Sequence, residues 1–485
     1  MNVKDLEPRL IWGYFDEITR VPRPSKKEEK IVQYLVDFAK KHQLDFKQDD
    51  AMNVVIYKPA SPGKENLKSV ILQSHIDMVC EKNADTEFNF DTDPIQTYID
   101  GDWVKAKGTT LGADDGIGMA AALAILASPD LEHGEIIALF TSDEETGLTG
   151  ANALDPSFLD ADILLNLDSE DWGEFCIGCA GGKNIQGIFE YSLEVPPSNY
   201  FWFDVRVSGL NGGHSGSDIH VGLGNANKIL NRYLWTLMSE TSLYLVEIDG
   251  GNLHNAIARE ASAKVGVPYG LKERAAVLAN IMQADLSLEL GYTDKNVKLE
   301  IQSSDSPSQC IDQNTTSRLL NTIYALPHGV IGWSHEMENT VETSTNLAAV
   351  KMRDGNKIVV LTSQRSSTSS LKTDICNMVN SVFRLAGANV VASEGYPGWK
   401  PNADSPILKV SETIYEEMFG KKPRIYSIHA GLECGLFSEK NPRLDMISCG
   451  PTILGAHSPD ERMEISTVAK WWSFMLELLK QIPVK

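Results

Sequence analysis

One apolar stretch that ends in a histidine and an aspartate constrains this chain more than any other feature. Residues 69–79 read Ser-Val-Ile-Leu-Gln-Ser-His-Ile-Asp-Met-Val. The run is too short to span a membrane and is typical of a buried strand. Because ligands of an open α/β sheet bind at the carboxyl ends of its strands, His75 and Asp77 are expected where the chemistry takes place.

Further carboxylates follow in the next hundred residues. A glycine-punctuated loop carries Asp114, a strand over 136–141 leads into Glu144 and Glu145, and a strand over 163–167 ends at Asp168. Each acidic residue alone is most simply a solvated loop residue. The set is different, because clustered carboxylates repel one another unless cations hold them. Histidine and carboxylates without thiolates favour a catalytic Zn²⁺ site, in which Mn²⁺ or Co²⁺ can take the place of zinc.

The order of these motifs resembles that of the co-catalytic di-zinc peptidase family, which includes aminoacylases, glutamate carboxypeptidases and carnosinase-type dipeptidases. No single motif is decisive, but the ordered set covers essentially the whole chain. The later motifs are most similar to those of bacterial dipeptidases that cleave aminoacyl-histidine. The motifs that carry the resemblance are His75-x-Asp77, Gly112-Ala-Asp-Asp-Gly116, Glu144-Glu-x-Gly147, Leu167-Asp-Ser-Glu170, Gly209–Gly216, Asn255–Glu260, His429–Gly435 and Gly450–Asp460.

The resemblance implies a site for two zinc ions. In the family pattern, His75 and Asp168 hold one metal, Glu145 and His457 hold the other, and Asp114 bridges the two. Mn²⁺ or Co²⁺ are possible substitutes at both positions.

The resemblance also implies roles for residues around the metals. Glu144 is expected to be the general base, and Asp77 is expected to orient His75. The bond between Asp114 and the next aspartate is often a cis peptide in this family. His214 is expected to stabilise the tetrahedral oxyanion.

Two residues are candidates for substrate binding. Arg259 is expected to grip a substrate carboxylate through two parallel hydrogen bonds, and Asn255 is expected to donate to the scissile carbonyl. A lone arginine is usually a surface cation, so this assignment depends on the surrounding motif.

The sequence predicts an α/β fold. Strands that alternate with helices before residue 180 predict a mixed or largely parallel sheet covered on both faces. Two runs of strands and helices follow, which predict an inserted α+β lid domain made of two similar units. We expect a catalytic domain of residues 1–185 and 396–485, and a lid of residues 186–395. At the start, Ser25-Lys-Lys-Glu28 predicts a capping box that begins a helix.

Composition excludes several classes of partner. With 44 basic and 66 acidic residues the formal charge is 44 − 66 = −22, which disfavours nucleic acid and anionic membranes. No apolar run approaches the roughly 18 residues of a spanning helix, and the amino terminus lacks a secretory signal, so a cytoplasmic protein is expected. The seven cysteines show no framework spacing and are expected to be reduced. Cys176-Ile-Gly-Cys179 is expected to form a small-residue turn.

The resemblance implies hydrolysis of dipeptides, preferentially Xaa-His dipeptides including β-alanyl-histidine. Another exopeptidase or an N-acyl amino-acid deacylase of the same family stays open as an alternative. A non-catalytic binding relative is a further alternative, but every family ligand and Glu144 are present. The expected partner is a dipeptide substrate, and the chain is expected to be a monomer or a homodimer. In dimeric relatives, the lid of the partner subunit supplies the histidine that stabilises the oxyanion. Because the insert of this chain is long, we expect one of its halves to take the place of the partner's lid, so that His214 acts at the metals of its own chain.

Overall fold

The computed structural model describes residues 2–485, which form two compact units. Unit 1 contains the chain up to Cys179 together with Trp399–Ser427 and Leu432–Lys485. Unit 2 contains Ala180–Gly398 and Ile428–Gly431, so it is inserted in the sequence of unit 1.

The helices are distributed over both units, with α5–α8 in unit 2 and the others in unit 1. Short 3₁₀ turns lie at Val3–Asp5, Pro156–Leu159, Ile219–Val221 and Tyr269–Leu271. The α-helices are α1 (Arg9–Ile18), α2 (Glu29–His42), α3 (Ala113–Ala127), α4 (Thr149–Ala153), α5 (Ala226–Glu240), α6 (Lys272–Glu289), α7 (Gln313–Ala325), α8 (Ser369–Leu385), α9 (Pro406–Phe419), α10 (Glu433–Lys440) and α11 (Ile465–Lys480).

The strands form one large sheet in each unit and several small ones. They are β1 (Asp45–Gln48), β2 (Val54–Lys58), β3 (Val70–His75), β4 (Thr97–Asp100), β5 (Trp103–Ala106), β6 (Ile136–Thr141), β7 (Ile163–Asn166), β8 (Glu174–Cys179), β9 (Gly181–Glu190), β10 (Leu193–Glu194), β11 (Tyr200–Ser208), β12 (Gly213–His214), β13 (Tyr244–Gly250), β14 (Ala256–Ile257), β15 (Ala261–Pro268), β16 (Lys298–Ser303), β17 (Cys310–Ile311), β18 (Gly329–Trp333), β19 (Val341–Arg353), β20 (Lys357–Ser366), β21 (Asn389–Ala392), β22 (Arg424–Ile428), β23 (Asp445–Ser448), β24 (Ile453–Leu454) and β25 (Arg462–Glu464).

The large sheet of unit 1 is mixed and has the order β1-β2-β6-β3-β7-β23-β8-β22. Strands β6, β3, β7 and β23 are parallel neighbours, whereas β1, β2 and β8 pair antiparallel. All residues of β3, β6 and β7 are buried, as expected for parallel strands that are covered on both faces. Their carboxyl ends therefore lie at one edge of the sheet.

Helix α3 covers part of this sheet and packs against β3 and α1. Its residues 115–126 are all buried, which is typical of a helix that is apolar on every side. The first turn is kinked, because Asp114 and Asp115 have non-helical backbone angles. Asp114 is therefore placed by a loop-like segment at the beginning of a rigid, buried helix.

Unit 2 contains a nine-stranded sheet with the order β16-β11-β15-β13-β19-β20-β9-β21, in which β18 pairs with β19. One half consists of β11, β13, β15 and β16 with helices α5 and α6, and the other of β9, β19, β20 and β21 with α7 and α8. The halves join where β13 pairs antiparallel with β19. Each half has its last strand at the outer edge, next to its first strand.

The predicted capping box at Ser25 and Glu28 is wrong. Helix α2 begins at Glu29, and its N-cap, Glu28, makes no side-chain capping bond. Glu28 Oε1 instead accepts hydrogen bonds from the amides of Lys26 and Asp143, and Ser25 Oγ donates to Asp77. Both side chains are thus bound by tertiary partners, which local sequence rules do not consider.

The predicted turn at Cys176 and Cys179 is also wrong, because both residues lie in β8. The glycine at position 178 is required by packing, because a Cβ there would lie 2.5 Å from Cγ of Pro401. None of the seven cysteines forms a disulfide bond, and those in β8 are buried. None of the helices in residues 2–485 has both the length and the apolarity that crossing a membrane requires.

Candidate metal centre and active site

Asp114 lies at the centre of the candidate site and presents its two oxygens to two different histidines. Nε2 of His75 lies 2.9 Å from Oδ1 of Asp114. Nε2 of His457 lies 3.1 Å from Oδ2 of the same carboxylate. Asp114 therefore has the geometry of a carboxylate that can bridge two neighbouring ions.

Two more carboxylates complete the arrangement, one on each side. Oδ1 of Asp168 lies 3.4 Å from Nε2 of His75, and Oε2 of Glu145 lies 3.0 Å from Nε2 of His457. Ligand atoms of His75, Asp114 and Glu145 lie within 4.8 Å of one another. The structure thus brings all five predicted metal ligands together in unit 1, in two sets that share Asp114.

The chemistry of these groups fits divalent cations. Hydrogen bonds that His457 donates to Asp114 and Glu145 raise its pKa to about 11, and burial raises the pKa of Asp168 to about 7. Oε1 of Glu145 is buried without a hydrogen-bond partner in the described structure. Imidazole nitrogens and carboxylate oxygens without thiolate form a donor set that is suited to catalytic zinc.

The loop that carries Asp114 is held by Glu461. Oε2 of Glu461 accepts hydrogen bonds from the amides of Leu111 and Gly112 at 2.7 and 3.0 Å. Oε1 accepts from the amides of Ala113 and Asp114 at 2.7 and 3.4 Å. The peptide bond between Asp114 and the next aspartate is cis, as the resemblance implies.

Arg23 connects this loop to the end of β3. Its buried guanidinium donates to the carbonyl oxygens of Ile76, Asp77 and Gly112. Gly112 has φ +69°, and a Cβ there would lie 2.6 Å from Nη2 of Arg23. Only glycine combines this left-handed backbone with so close an approach.

The turn that carries Glu144 and Glu145 is fixed through its backbone amides. The amide of Asp143 donates to Oε1 of Glu28 at 3.2 Å. The next two amides, those of Glu144 and Glu145, donate to Oδ1 and Oδ2 of Asp77 at 3.0 and 3.2 Å. Burial raises the pKa of the Glu144 carboxyl well above its usual range. A carboxyl group with a raised pKa on a fixed turn is suited to acid–base chemistry.

Asp77 also contacts His75. Its Oδ1 lies 3.4 Å from Nδ1 of His75, and its Oδ2 accepts a hydrogen bond from Ser25 at 2.7 Å. Burial alone would raise the pKa of Asp77, but His75, Ser25 and a backbone amide outweigh it and lower this pKa to about 2. Nδ1 of His75 thus faces Asp77, while its Nε2 faces Asp114 and Asp168.

Three residues of this site, Arg23, Glu28 and Glu461, were not predicted from the sequence as site residues. Glu461 directly follows the motif Gly450–Asp460, so its proximity to the His457 loop is a usable signal. The acidic residue of the Ser25–Glu28 pattern has a competing local interpretation as a helix cap. Arg23 lies between two prolines and carries no signal of its own.

His214 lies in unit 2, in the short strand β12. Its Nδ1 accepts hydrogen bonds from the amides of Gly216 and Ser217 at 3.3 and 3.1 Å. Burial, with a contribution from Arg365, lowers the pKa of His214. The imidazole is therefore neutral and carries its proton on Nε2, which makes it a hydrogen-bond donor.

Arg365 is the buried cation of a histidine cluster in unit 2. Its charge helps to lower the pKa of His214, His254 and His429, and burial together with this charge lowers that of His429 to about 3. The side chain is 5% exposed, donates to the hydroxyl group of Tyr396 at 2.9 Å, and leaves Nε without a partner in the described structure. Sequence analysis missed Arg365, because one arginine in a strand gives no pattern.

The two predicted substrate-binding residues have different environments in unit 2. Asn255 is half-buried, and its carbonyl oxygen accepts a hydrogen bond from the amide of Ser215 at 2.8 Å. Arg259 is exposed and lines a cleft of about 450 Å³ together with Gly212, Gly213 and other residues. Asn255 thus adjoins the His214 loop through its backbone, whereas Arg259 faces an open cleft.

Comparisons with known proteins agree with the family that the motifs suggested. The chain is 44% identical over 484 residues to the cytosol non-specific dipeptidase of Escherichia coli K12, and the match covers 100% of both chains. It superimposes on the crystal structure of the aminoacylhistidine dipeptidase from Vibrio alginolyticus with a TM-score of 0.95 and 46% identity, covering 100% of this chain and 99% of that one.

More distant structures share the fold. The aminopeptidase PepT of Bacillus cereus has a TM-score of 0.56 at 16% identity, over 98% of this chain and 99% of that one. The model of peptidase family M20/M25/M40 matches residues 71–481, which include every motif that carries the family resemblance. The chain therefore belongs to peptidase family M20/M25/M40.

Proposed function

We propose that the chain is a dipeptidase that uses two divalent cations, with zinc as the natural choice for this ligand set. The observation that supports this most strongly is that the two oxygens of Asp114 face two different histidines. His75 and Asp168 would hold one ion with Oδ1 of Asp114. His457 and Glu145 would hold the other with Oδ2.

When bound, the two cations supply Lewis acidity and make water nucleophilic near neutral pH. Glu144 is proposed to accept the proton of the attacking water and to transfer it to the departing amine. Its environment supports this role, because its amide is fixed by Asp77 and burial raises the pKa of its carboxyl, which makes the carboxylate a stronger base. Asp77 keeps the imidazole of His75 in one tautomer and orientation.

His214 is proposed to donate a hydrogen bond from its Nε2–H group to the oxyanion of the tetrahedral intermediate. Its hydrogen bonds support the role, because the backbone donors at Nδ1 leave the other ring nitrogen as the donor. Asn255 is proposed to donate to the scissile carbonyl.

Two arginines are candidates for binding the free carboxylate of the substrate. The motif favours Arg259. Burial favours Arg365, because a charge-assisted pair is stronger where water is excluded. In addition, the Nε of Arg365 has no partner in the described structure, and a planar guanidinium group can donate two parallel hydrogen bonds to a carboxylate.

The proposed substrates are dipeptides, with Xaa-His dipeptides including β-alanyl-histidine preferred. Two relatives of similar identity support the class, one named a non-specific dipeptidase and the other an aminoacylhistidine dipeptidase. The two names differ in breadth, so side-chain preference has to be measured on this chain.

A substrate panel with and without added Zn²⁺ tests the proposal. The panel contains β-alanyl-histidine, ordinary dipeptides with and without a C-terminal histidine, a tripeptide and N-acetyl amino acids. We expect zinc-dependent cleavage of the dipeptides, fastest for the Xaa-His members. Faster cleavage of the N-acetyl amino acids would instead identify a deacylase, and cleavage of the tripeptide at an equal rate would identify a broader exopeptidase.

A further inference from the structure

A buried hydrogen-bond network connects the ends of the three strands that precede the proposed metal ligands. Nδ2 of Asn166 donates to Oε1 of Gln73 at 2.6 Å. Nε2 of Gln73 in turn donates to Oε2 of Glu433 at 2.6 Å. Thr141 Oγ1 donates to the same oxygen of Glu433 at 2.9 Å. One carboxylate oxygen therefore receives hydrogen bonds from β3 and β6 directly, and is linked to β7 through Gln73.

Each strand in this network continues at once into a proposed ligand. Gln73 lies two residues before His75 on β3. Thr141 is the last residue of β6 and is followed by the turn that contains Glu145. Asn166 is the last residue of β7 and lies two residues before Asp168. A change in the spacing of these strand ends would therefore change the spacing of the ligands.

Glu433 comes from a distant part of the sequence and is completely enclosed. It is 1% exposed and is the first residue of α10. Its partners Gln73 and Thr141 precede it by 360 and 292 residues. Its second oxygen, Oε1, is buried without a hydrogen-bond partner in the described structure. Burial raises the pKa of Glu433 to about 8.

We propose that Glu433 is a positioning residue of the metal centre, which fixes the distances between His75, Glu145 and Asp168 by tying the strand ends together through its Oε2. The inference rests on the proposed function, because it takes these three residues as metal ligands. Residues behind metal ligands commonly control metal affinity, although they do not touch the metal. The two bonds that Oε2 accepts lie in the protein interior, where a hydrogen bond is electrostatically stronger than in water, so they can hold the strand ends in place.

The test compares Glu433→Ala with Glu433→Gln and with Glu439→Ala. Glu439 is an exposed residue of the same helix and serves as the matched control. Zinc affinity is measured by competition with a chromophoric chelator, and kcat and KM are measured for a dipeptide at saturating zinc. We expect Glu433→Ala to raise the zinc Kd by about 10–100-fold and to lower kcat with little change in KM.

The variant Glu433→Gln distinguishes a requirement for a hydrogen-bond acceptor from a requirement for a negative charge. Glu433→Gln keeps an amide oxygen that Gln73 and Thr141 can donate to, so it should recover most of the zinc affinity lost in Glu433→Ala. If glutamine were as harmful as alanine, a hydrogen-bond acceptor would not be what the site requires, and the proposal would be wrong.

A purely structural role predicts a different outcome. In that case Glu433→Ala would melt at a lower temperature while its zinc Kd and kcat equal those of the wild type, which would overturn the proposal. If Glu433→Ala does not fold, Thr141→Val removes one donor of the same network and should shift the zinc Kd in the same direction; an unchanged Kd would count against the proposal. A wild type that binds no zinc would instead contradict the proposed function itself.

Discussion

Replacing Glu461 by glutamine tests how the loop that carries Asp114 is held. Both oxygens of this buried carboxylate accept hydrogen bonds from consecutive backbone amides at residues 111–114. Glutamine has nearly the same shape but only one acceptor oxygen. Its NH₂ group would therefore face two backbone N–H groups, and two of the four amides would lose their acceptor.

The size of the effect follows from these contacts. A buried donor that loses its acceptor costs about 1–3 kcal/mol. The glutamine would place its NH₂ group at the side of Ala113 and Asp114, because the amide of Asp114 makes the longest contact, 3.4 Å. For two amides the cost is about 2–6 kcal/mol. Because one of the two contacts is long, we expect the free energy of unfolding to fall by an amount in the lower part of this range, about 2–4 kcal/mol. Displacement of Asp114 should also raise the zinc Kd by about 10–100-fold.

Urea unfolding of the metal-free protein measures the first effect, and chelator competition measures the second. Asp460→Asn is the matched control, because it removes the neighbouring carboxylate, which is exposed. We expect this control to unfold and to bind zinc like the wild type. If Glu461→Gln also behaved like the wild type in both assays, the Asp114 loop would not depend on this carboxylate and the reasoning would be refuted.

Three further predictions concern catalysis, acid stability and substrate binding. Glu144→Gln should keep its metal and lower kcat by about 10²–10⁴-fold, whereas Glu145→Gln should lose metal; equal metal loss in both would mean that base and ligand have been confused. Burial lowers the pKa of His328 to about 4, so the unfolded state takes up a proton between the ordinary pKa of 6.5 and 4 that the folded state refuses, and stability falls as the pH drops through this window. In this pH window the wild type should lose about 1.4 kcal/mol of unfolding free energy per pH unit through His328, and His328→Gln should not show this loss. Urea unfolding at several pH values measures it, and equal pH dependence of wild type and variant would disprove the prediction. Arg365→Lys should raise KM for dipeptides more than Arg259→Lys does, because lysine cannot form two parallel hydrogen bonds, and steady-state kinetics showing the reverse order would reassign the carboxylate to Arg259.

The strands that deliver the ligands were predictable from the sequence. The expected strand 136–141 coincides with β6, the strand expected over 163–167 extends one residue beyond β7, and the apolar run 69–79 contains β3. Parallel strands that are buried on both faces are continuous apolar runs, so their ends are visible as the points where polar residues begin. The residues at these ends were therefore good candidates for ligands.

The residues that support the ligands were much harder to predict. Glu461 and Arg23 act on backbone groups that lie far away in the sequence. Glu28 matches a local helix-capping pattern, but its carboxylate accepts a bond from the amide of Asp143 instead. A single buried charge has no periodicity, and its partners become apparent only once the fold brings distant segments together. Arg365 was missed for the same reason.

Metal content and activity measured on the same sample test the central claim most directly. The chain is stripped with a chelator, then titrated with Zn²⁺, while bound zinc and the rate of β-alanyl-histidine hydrolysis are followed together. We expect activity to be lost on stripping, to return with zinc, and to reach its maximum at two zinc ions per chain. Hydrolysis at the full rate by metal-free protein, or saturation of binding at one ion with full activity, would contradict the two-metal site around Asp114.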